Sequence, residues 1–373
     1  MPQFHPIQLI LPSKPSQQVM QSLDNYTAKE VSALKEDQKE GFIHILKSSA
    51  RSKNKNQKIR EKWMEALEKK HYLSQEDSQF YYYSISKEGF KTTGFIGGCE
   101  PSDFEKGKVT LHEETYTKRV SHMTRYLKKV QIQAEPVILI YEDQSKLKLN
   151  FSALEQRSPL VKFEFDQAEH KLWPLNEKET KVLKEWSSLQ AYFHLADGHH
   201  RVASLRNLAK QDQQSYLLSS FLVHKDQLQL YSFVWFLKAS LSKNFRSRLL
   251  DLIKELKAET FDIDKEGKAN YDIILKIDST YYGLKEHFSN PPAYIHQTLK
   301  SVTPGLLGEL DYIADTSKGI DTKRWVSCDL VFFMKPISFE LLFEYAKSGK
   351  NLPAKSTYIL PKLLTGFLVS PLH

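Results

Sequence analysis

The sequence predicts an α+β fold, a mixed sheet with flanking helices, and three patterns carry that prediction. Two pairs of apolar runs, at 80–96 and 161–173, are separated by the short turns of antiparallel hairpins. Several other segments place apolar residues three and four apart, as a helix lying on a core does. The run 191–196, the periodic stretch from Val202 to Leu208 and the run Tyr216 to Val223 then read as strand, helix and return strand.

In order along the chain, Thr27 and Glu30 form a capping-box pattern ahead of Val31 and Leu34, which starts a helix. Phe42 to Leu46 reads as the strand after it. Trp63, Met64 and Leu67 give the next helix an apolar face. Phe80 to Ile85 and Thr92 to Ile96 make a hairpin around a turn at Lys87 to Gly89, with Tyr81, Tyr82 and Tyr83 read as sheet residues rather than a ligand platform. Pro136 to Tyr141 is a further strand. Val161, Phe163 and Phe165 alternate with polar neighbours and pair with Lys171 to Trp173. The helix Glu177 to Leu189 leads into the strand 191–196. Later come a helix at 244–257, strands at 271–277 and 329–333, and a helix at 338–348 stopped by Gly349. The change of pattern near residue 230 divides a motif-bearing α+β domain, 1–230, from a second α+β region, 231–373, whose carboxyl-terminal loop returns to the site. One elaborate domain fits the same pattern.

With 40% hydrophobic and 26% charged residues, the chain is a folded protein rather than a disordered one. Cys99 and Cys328 are its two cysteines, too few for a disulfide framework, and a reducing compartment is the simplest expectation. The start MPQFHPIQLILP has neither a basic leader nor a long apolar run. The longest candidate span, Tyr231 to Leu241, is about half of what a membrane requires and contains Lys238. A cytoplasmic location and no membrane partner follow as expectations. The formal net charge of +8 draws on Arg51, Lys53, Lys55, Lys58, Arg60, Lys62, Lys69 and Lys70. These coat the wet face of the helix bearing Trp63, so a nucleic-acid partner is not favoured.

The densest chemistry stands at Asp197, Gly198, His199, His200 and Arg201, where a strand ends and a helix begins. The first N–H groups of such a helix and the positive end of its dipole suit a phosphate or carboxylate. Gly198 permits a tight turn and close approach, and Arg201 can grip an anion with two parallel bonds. The same five residues also suit an ordinary helix start, with Asp197 as cap. Adjacent histidines point in different directions on a helix, so zinc is not the natural reading. A second cluster, LHEETYTKRVSHMTRY from Leu111, gathers His112, Glu113, Glu114, Thr115, Lys118, Arg119, His122 and Arg125. Its apolar residues over 111–125 are too sparse for a well-buried helix, and a carboxylate here could serve as general base or metal ligand beside cations. A third, Pro353 to Gly366, holds Lys355, Ser356 and Thr357 between Pro353 and Pro361. It lacks the glycines of a P-loop, yet a stiff polar loop can hold phosphate contacts, or its hydroxyls can satisfy the local backbone.

Together, ADGHHR at 196–201, HEET at 112–115 and KSTYILPK at 355–362 resemble the three signatures of the bacterial and archaeal family called domain of unknown function 1015, nearly end to end. LDNYTAKEV resembles its early pattern, with Asp24 in the aspartate place. Leu23 stands where the family has tyrosine, and Tyr231 to Lys238 lacks the family's Pro-Thr-His-Arg pattern. The basic segment after residue 49 looks like an insertion. The loop also resembles the strand-DGHHR-helix element of the ParB and sulfiredoxin-like superfamily, which includes the archaeal ADP-dependent free-serine kinase.

That resemblance implies a nucleotide-dependent phosphotransferase acting on a hydroxyl-bearing metabolite, serine-kinase-like, with ATP or ADP and Mg²⁺. Gly198, His199, Arg201, Lys355, Ser356 and Thr357 would hold the nucleotide. Glu113 would take the acceptor's proton, with Asp197, as Mg²⁺-linked carboxylate, and His200 beside it. Asp24, His112, Thr115 and Lys362 are the further candidates. The alternative is a non-catalytic nucleotide-sensing or regulatory module that binds nucleic acid or protein.

Overall fold

The computed structural model describes residues 1–47, 54–143, 145, 147–237, 240–263, 267–285, 288–303, 305–316, 320 and 322–372. The chain forms two compact units. The first comprises Met1–Leu111, Thr115–Leu228 and Pro361–His373; the second comprises His112–Glu114 and Gln229–Leu360.

In the first unit helix α1, Ala28–Asp37, starts with the expected capping box of Thr27 and Glu30. Phe42–Leu46 is a short helix, α2, and not a strand. Five consecutive apolar or aromatic positions have too short a span to reveal a period, and tertiary packing decides. Phe42, Ile43 and Ile45 are buried, and the Phe42 ring meets Trp63 and Tyr72 edge-on at 6.2 and 5.9 Å. Helix α3, Lys55–Glu68, buries Ile59, Trp63 and Ala66 in this cluster, whereas Met64 faces outward. Its lysines therefore lie on the solvent side of an amphipathic helix, and the Arg60 guanidinium donates to the Val130 carbonyl at 2.7 Å. Arg51 and Lys53 lie outside the described residues.

Among the described residues the first unit's main sheet has nine strands. They are β1 (Phe4–His5), β2 (Tyr81–Lys87), β3 (Phe90–Cys99), β4 (Val109–Thr110), β5 (Val137–Tyr141), β6 (Val161–Phe165), β7 (Ala168–Pro174), β8 (Phe193–Asp197) and β9 (Leu218–His224). Eight of them run in the order β4-β8-β5-β9-β3-β2-β7-β6, and β1 pairs with β3. The β4–β8 and β5–β9 pairs are parallel and the rest antiparallel, so the sheet is mixed. Both hairpins have two-residue turns with left-handed backbones, at Glu88 and Gly89 and at Asp166 and Gln167, the geometry that matches strand twist. Every residue of β5 is buried, which explains its unbroken apolar sequence. The strands β8 and β9 are not neighbours. β5 lies between them, so the strand-helix-strand segment spans an inserted strand.

Helices α4 (Thr117–Val130), α5 (Phe151–Gln156), α6 (Glu177–Ser187) and α7 (His199–Asp212) pack around this sheet. The expected shortage of apolar residues after Leu111 is corrected in α4. Val120 and Thr124 form a buried stripe that Leu127 and Val130 complete, beyond the window 111–125. In α7, Val202, Leu205 and Leu208 are buried as their spacing predicts. The two helices touch through small polar groups: Thr124 Oγ1 donates to the Ser204 carbonyl and Ser204 Oγ to the Val120 carbonyl, each at 3.2 Å. The final segment is stitched back into this unit by backbone bonds from Thr365 to Met20, Gly366 to Ala134 and Leu372 to Gln131.

The second unit is an antiparallel six-stranded sheet among the described residues. Its strands are β10 (Phe233–Leu237), β11 (Glu259–Thr260), β12 (Ile273–Ile277), β13 (Thr280–Leu284), β14 (Leu310–Ala314) and β15 (Leu330–Met334), in the order β11-β13-β12-β15-β10-β14. Helices α8 (Lys243–Glu255), α9 (Pro291–Val302) and α10 (Phe339–Ser348) accompany it. Gly349, left-handed at φ 69°, ends α10 as the sequence suggests. Gln229–Tyr231 and Tyr358–Leu360 form a separate ribbon in the same unit. Among the described residues no helix is long and apolar enough to cross a membrane.

Phe42 fixes α2 by filling a wholly buried aromatic cluster. Phe42→Ala is expected to cost about 3–5 kcal/mol in a urea unfolding titration, as large core truncations do; a loss below about 1 kcal/mol would contradict this packing role.

Candidate functional site

In the first unit the pentapeptide lies where β8 hands over to α7. Gly198, at φ 110°, is the residue before the helix, and it has no side chain with which to cap it. Asp197 is therefore not the helix cap. A Cβ on Gly198 would meet Val137 Cγ1 at 2.5 Å, so both backbone angle and space require glycine here. The chain turns into the helix with its first-turn N–H groups at the end of the strand, where the helix dipole is positive.

The Asp197 carboxylate is held between two cations. Lys362 Nζ donates to Oδ1 at 2.6 Å, and Arg201 Nη2 donates to Oδ2. The three side chains are 29, 24 and 20% exposed for Asp197, Lys362 and Arg201, so the cluster is largely shielded from water. Burial by itself would raise the carboxyl pKa, but Lys362 and then Arg201 outweigh it and hold Asp197 well below the usual carboxylate range. Asp197 is thus a fixed anion rather than a proton acceptor near neutral pH. Both of its oxygens are already engaged by cations.

Arg201 is similarly committed. Its Nη1 lies 2.7 Å from Glu135 Oε1 and donates to the Pro136 carbonyl, while Nη2 serves Asp197. The expectation that it grips a phosphate meets a guanidinium already turned toward protein acceptors. Glu135, unmarked by the sequence motifs, is the missing partner; Thr365 Oγ1 donates to its other oxygen at 2.7 Å. The only sequence signal available was a carboxylate placed directly before the strand beginning at Pro136.

The two histidines differ. His199 is buried in the first turn of α7. His200 accepts the Tyr116 N–H through Nε2 at 3.0 Å, and its ring stacks on Tyr116 with centroids 5.8 Å apart. A backbone N–H can only donate, so Nε2 is the acceptor in this contact. Asp24 sits in the single turn Leu23–Asn25, and its side chain lies outside what is described.

The second unit holds the other two motifs in part. Of HEET, His112, Glu113 and Glu114 belong here, while exposed Thr115 resumes the first unit. Buried His112 offers its carbonyl to the Leu352 N–H at 2.7 Å, and Glu113 Oε1 accepts the Lys355 N–H at 3.2 Å. Lys355 is left-handed at φ 63°, its carbonyl accepts from Trp235 Nε1 at 3.1 Å, and its ammonium lies 5.2 Å from the Phe233 ring centroid. Buried Ser356 donates to the Pro353 carbonyl at 2.6 Å, which is the local backbone role rather than a ligand contact. Thr357 is half-buried beside it. The KSTYILPK motif changes unit after Leu360, and Lys362 serves the first.

Residues 4–311 match the model of a family described as protein of unknown function (DUF1015). The chain belongs to that family. No curated protein matches the DUF1015 chain in sequence. Solved structures overlap it in part. SbnI with a carboxyl-terminal truncation, from Staphylococcus aureus, is 11% identical with a TM-score of 0.44 and coverage of 73% of this chain and 86% of its own. A mutant free serine kinase in complex with ADP is 15% identical with a TM-score of 0.40 over 72% and 91%. A conserved hypothetical protein from Pyrococcus furiosus is 14% identical with a TM-score of 0.38 over 72% and 94%.

The clamp around Asp197 has a pH signature. Its folded pKa lies below the unfolded value of about 4, so its stabilisation is present above that value and is lost as the pH falls through the folded one. Lys362→Met is expected to destabilise the protein by about 1–3 kcal/mol at pH 7. In urea titrations the difference from wild type should narrow as the pH drops below the carboxylate range; a pH-independent difference would contradict the pairing.

Proposed function

We propose that this DUF1015 protein is a nucleotide-dependent phosphotransferase acting on a small hydroxyl-bearing metabolite. One observation carries the reading: a fourteen-residue helix opens at left-handed Gly198, beside the end of a buried strand, with its positive end offered by backbone N–H groups. The reading rests on the first unit alone. Phosphate oxygens would take the first-turn N–H groups of α7, and a side chain at position 198 would collide with Val137 and shift the turn that presents them.

Asp197, Arg201, Lys362 and Glu135 form a charge-balanced support that holds this turn in place, since two carboxylates face two cations. Arg201 and Lys362 are positioning residues in this account. Positioning and charge stabilisation are most of what phosphoryl transfer asks of a protein. Serine is the first acceptor to try, following the family resemblance of the loop.

Calorimetric titration with ADP and ATP, each with and without Mg²⁺, tests the binding step, and ³¹P NMR with added serine tests transfer. We expect nucleotide binding in wild type and a loss of about tenfold or more in Gly198→Ala, equal to about 1.4 kcal/mol. The variant itself should also be less stable by about 1–3 kcal/mol, so binding is compared at a temperature where it remains folded. No nucleotide binding by the wild type would overturn the reading; binding without any phosphoryl product would leave a nucleotide sensor in place of an enzyme.

A further inference from the structure

The first unit contains a cavity away from the pentapeptide. Asp197 pairs with Ile138 at one end of β5, whereas this cavity lies at the Tyr141 end, where β9 pairs Tyr141 with His224. Its volume is about 320 Å³, at the lower end of the range for small-molecule sites. Four rings line it, Tyr82, Phe95, Tyr141 and Phe151, and Tyr82, Phe95 and Phe151 stand 5.5–6.3 Å apart, centroid to centroid. Tyr82 is thus both a sheet residue and a cavity wall.

The polar groups are more specific than the rings. Gln227 Oε1 accepts from both the Thr93 N–H and Thr93 Oγ1, and the Gln227 carbonyl accepts from Thr92 Oγ1 at 2.8 Å. A backbone N–H can only donate, so the amide orientation of Gln227 is fixed with oxygen toward Thr93. Its Nε2 then remains as a donor, and it has no partner among the described residues. At the rim, Lys91 donates to both oxygens of Glu155 at 2.7 and 2.6 Å, and Tyr82 Oη donates to Oε1 at 2.9 Å. That carboxylate and ammonium cancel, so the cavity has no net charge to attract an ion.

We propose that this cavity binds a neutral, planar aromatic or heteroaromatic molecule whose carbonyl or ring-nitrogen acceptor takes the Gln227 Nε2–H. The ring would stack against half-buried Phe151 and its neighbours, and the single directed donor would set its orientation. This site is independent of the phosphotransferase reading and stands whether or not that reading does.

The test uses the full chain and two probes of the same shape, benzamide and benzamidinium, titrated by saturation-transfer difference NMR. Benzamide presents a carbonyl acceptor; benzamidinium presents donors only. Gln227→Glu keeps the acceptor for Thr93 and replaces the amide donor with an acceptor oxygen. The ratio of benzamide to benzamidinium affinity should fall by about tenfold or more in this variant. Phe151→Ala should weaken both probes while Lys210→Ala, on the outer face of α7, changes neither. No saturation transfer from wild type to benzamide, or an unchanged ratio in Gln227→Glu with its unfolding midpoint retained, would overturn the proposal.

Discussion

The carboxylate of Asp197, held between Lys362 and Arg201, is the constraint on which the first unit's candidate site depends. It joins the end of β8, the first turn of α7 and the last segment of the chain. Remove its charge and two neighbouring cations face each other across a shielded space, a situation that costs more than either pair contributes. Gly198 complements this clamp. The ion pairs fix where the strand stops, and the left-handed glycine fixes how sharply the chain turns against Val137.

Charge balance also limits what these residues can do. A carboxylate held far below its ordinary pKa does not collect protons at neutral pH, and a guanidinium bonded to Glu135, Pro136 and Asp197 has little left for a phosphate. In the proposed reading, the side chains most conspicuous in the sequence motif act as scaffolding, and the backbone N–H groups they position would face the ligand. A similar exchange of roles occurs in the second unit, where the Lys355 backbone, rather than its ammonium, bonds Glu113, and the Ser356 hydroxyl closes its own turn.

What the sequence made legible was local. The capping box at Thr27, the existence of the two hairpins, the stripe Val202, Leu205, Leu208 and the stop at Gly349 each follow from residues close in sequence. Phe42 to Leu46 shows the limit, because four apolar residues around His44 suit a strand or a buried helical turn equally until Trp63 and Tyr72 are packed against them. The site was legible as motifs but not as contacts. Asp197 and Lys362 are 165 positions apart, and Arg201 and Glu135 are 66 apart. No spacing rule connects such pairs, and only the fold brings them to hydrogen-bonding distance.

The most direct measurement is a carbon-detected NMR titration of the Asp197 carboxyl in protein labelled at aspartate. The clamp predicts that this resonance stays in its ionised position through the ordinary carboxylate range and shifts only well below it, with Lys362→Met moving the transition upward. A midpoint near about 4 in the folded wild type, unchanged in the variant, would contradict the account.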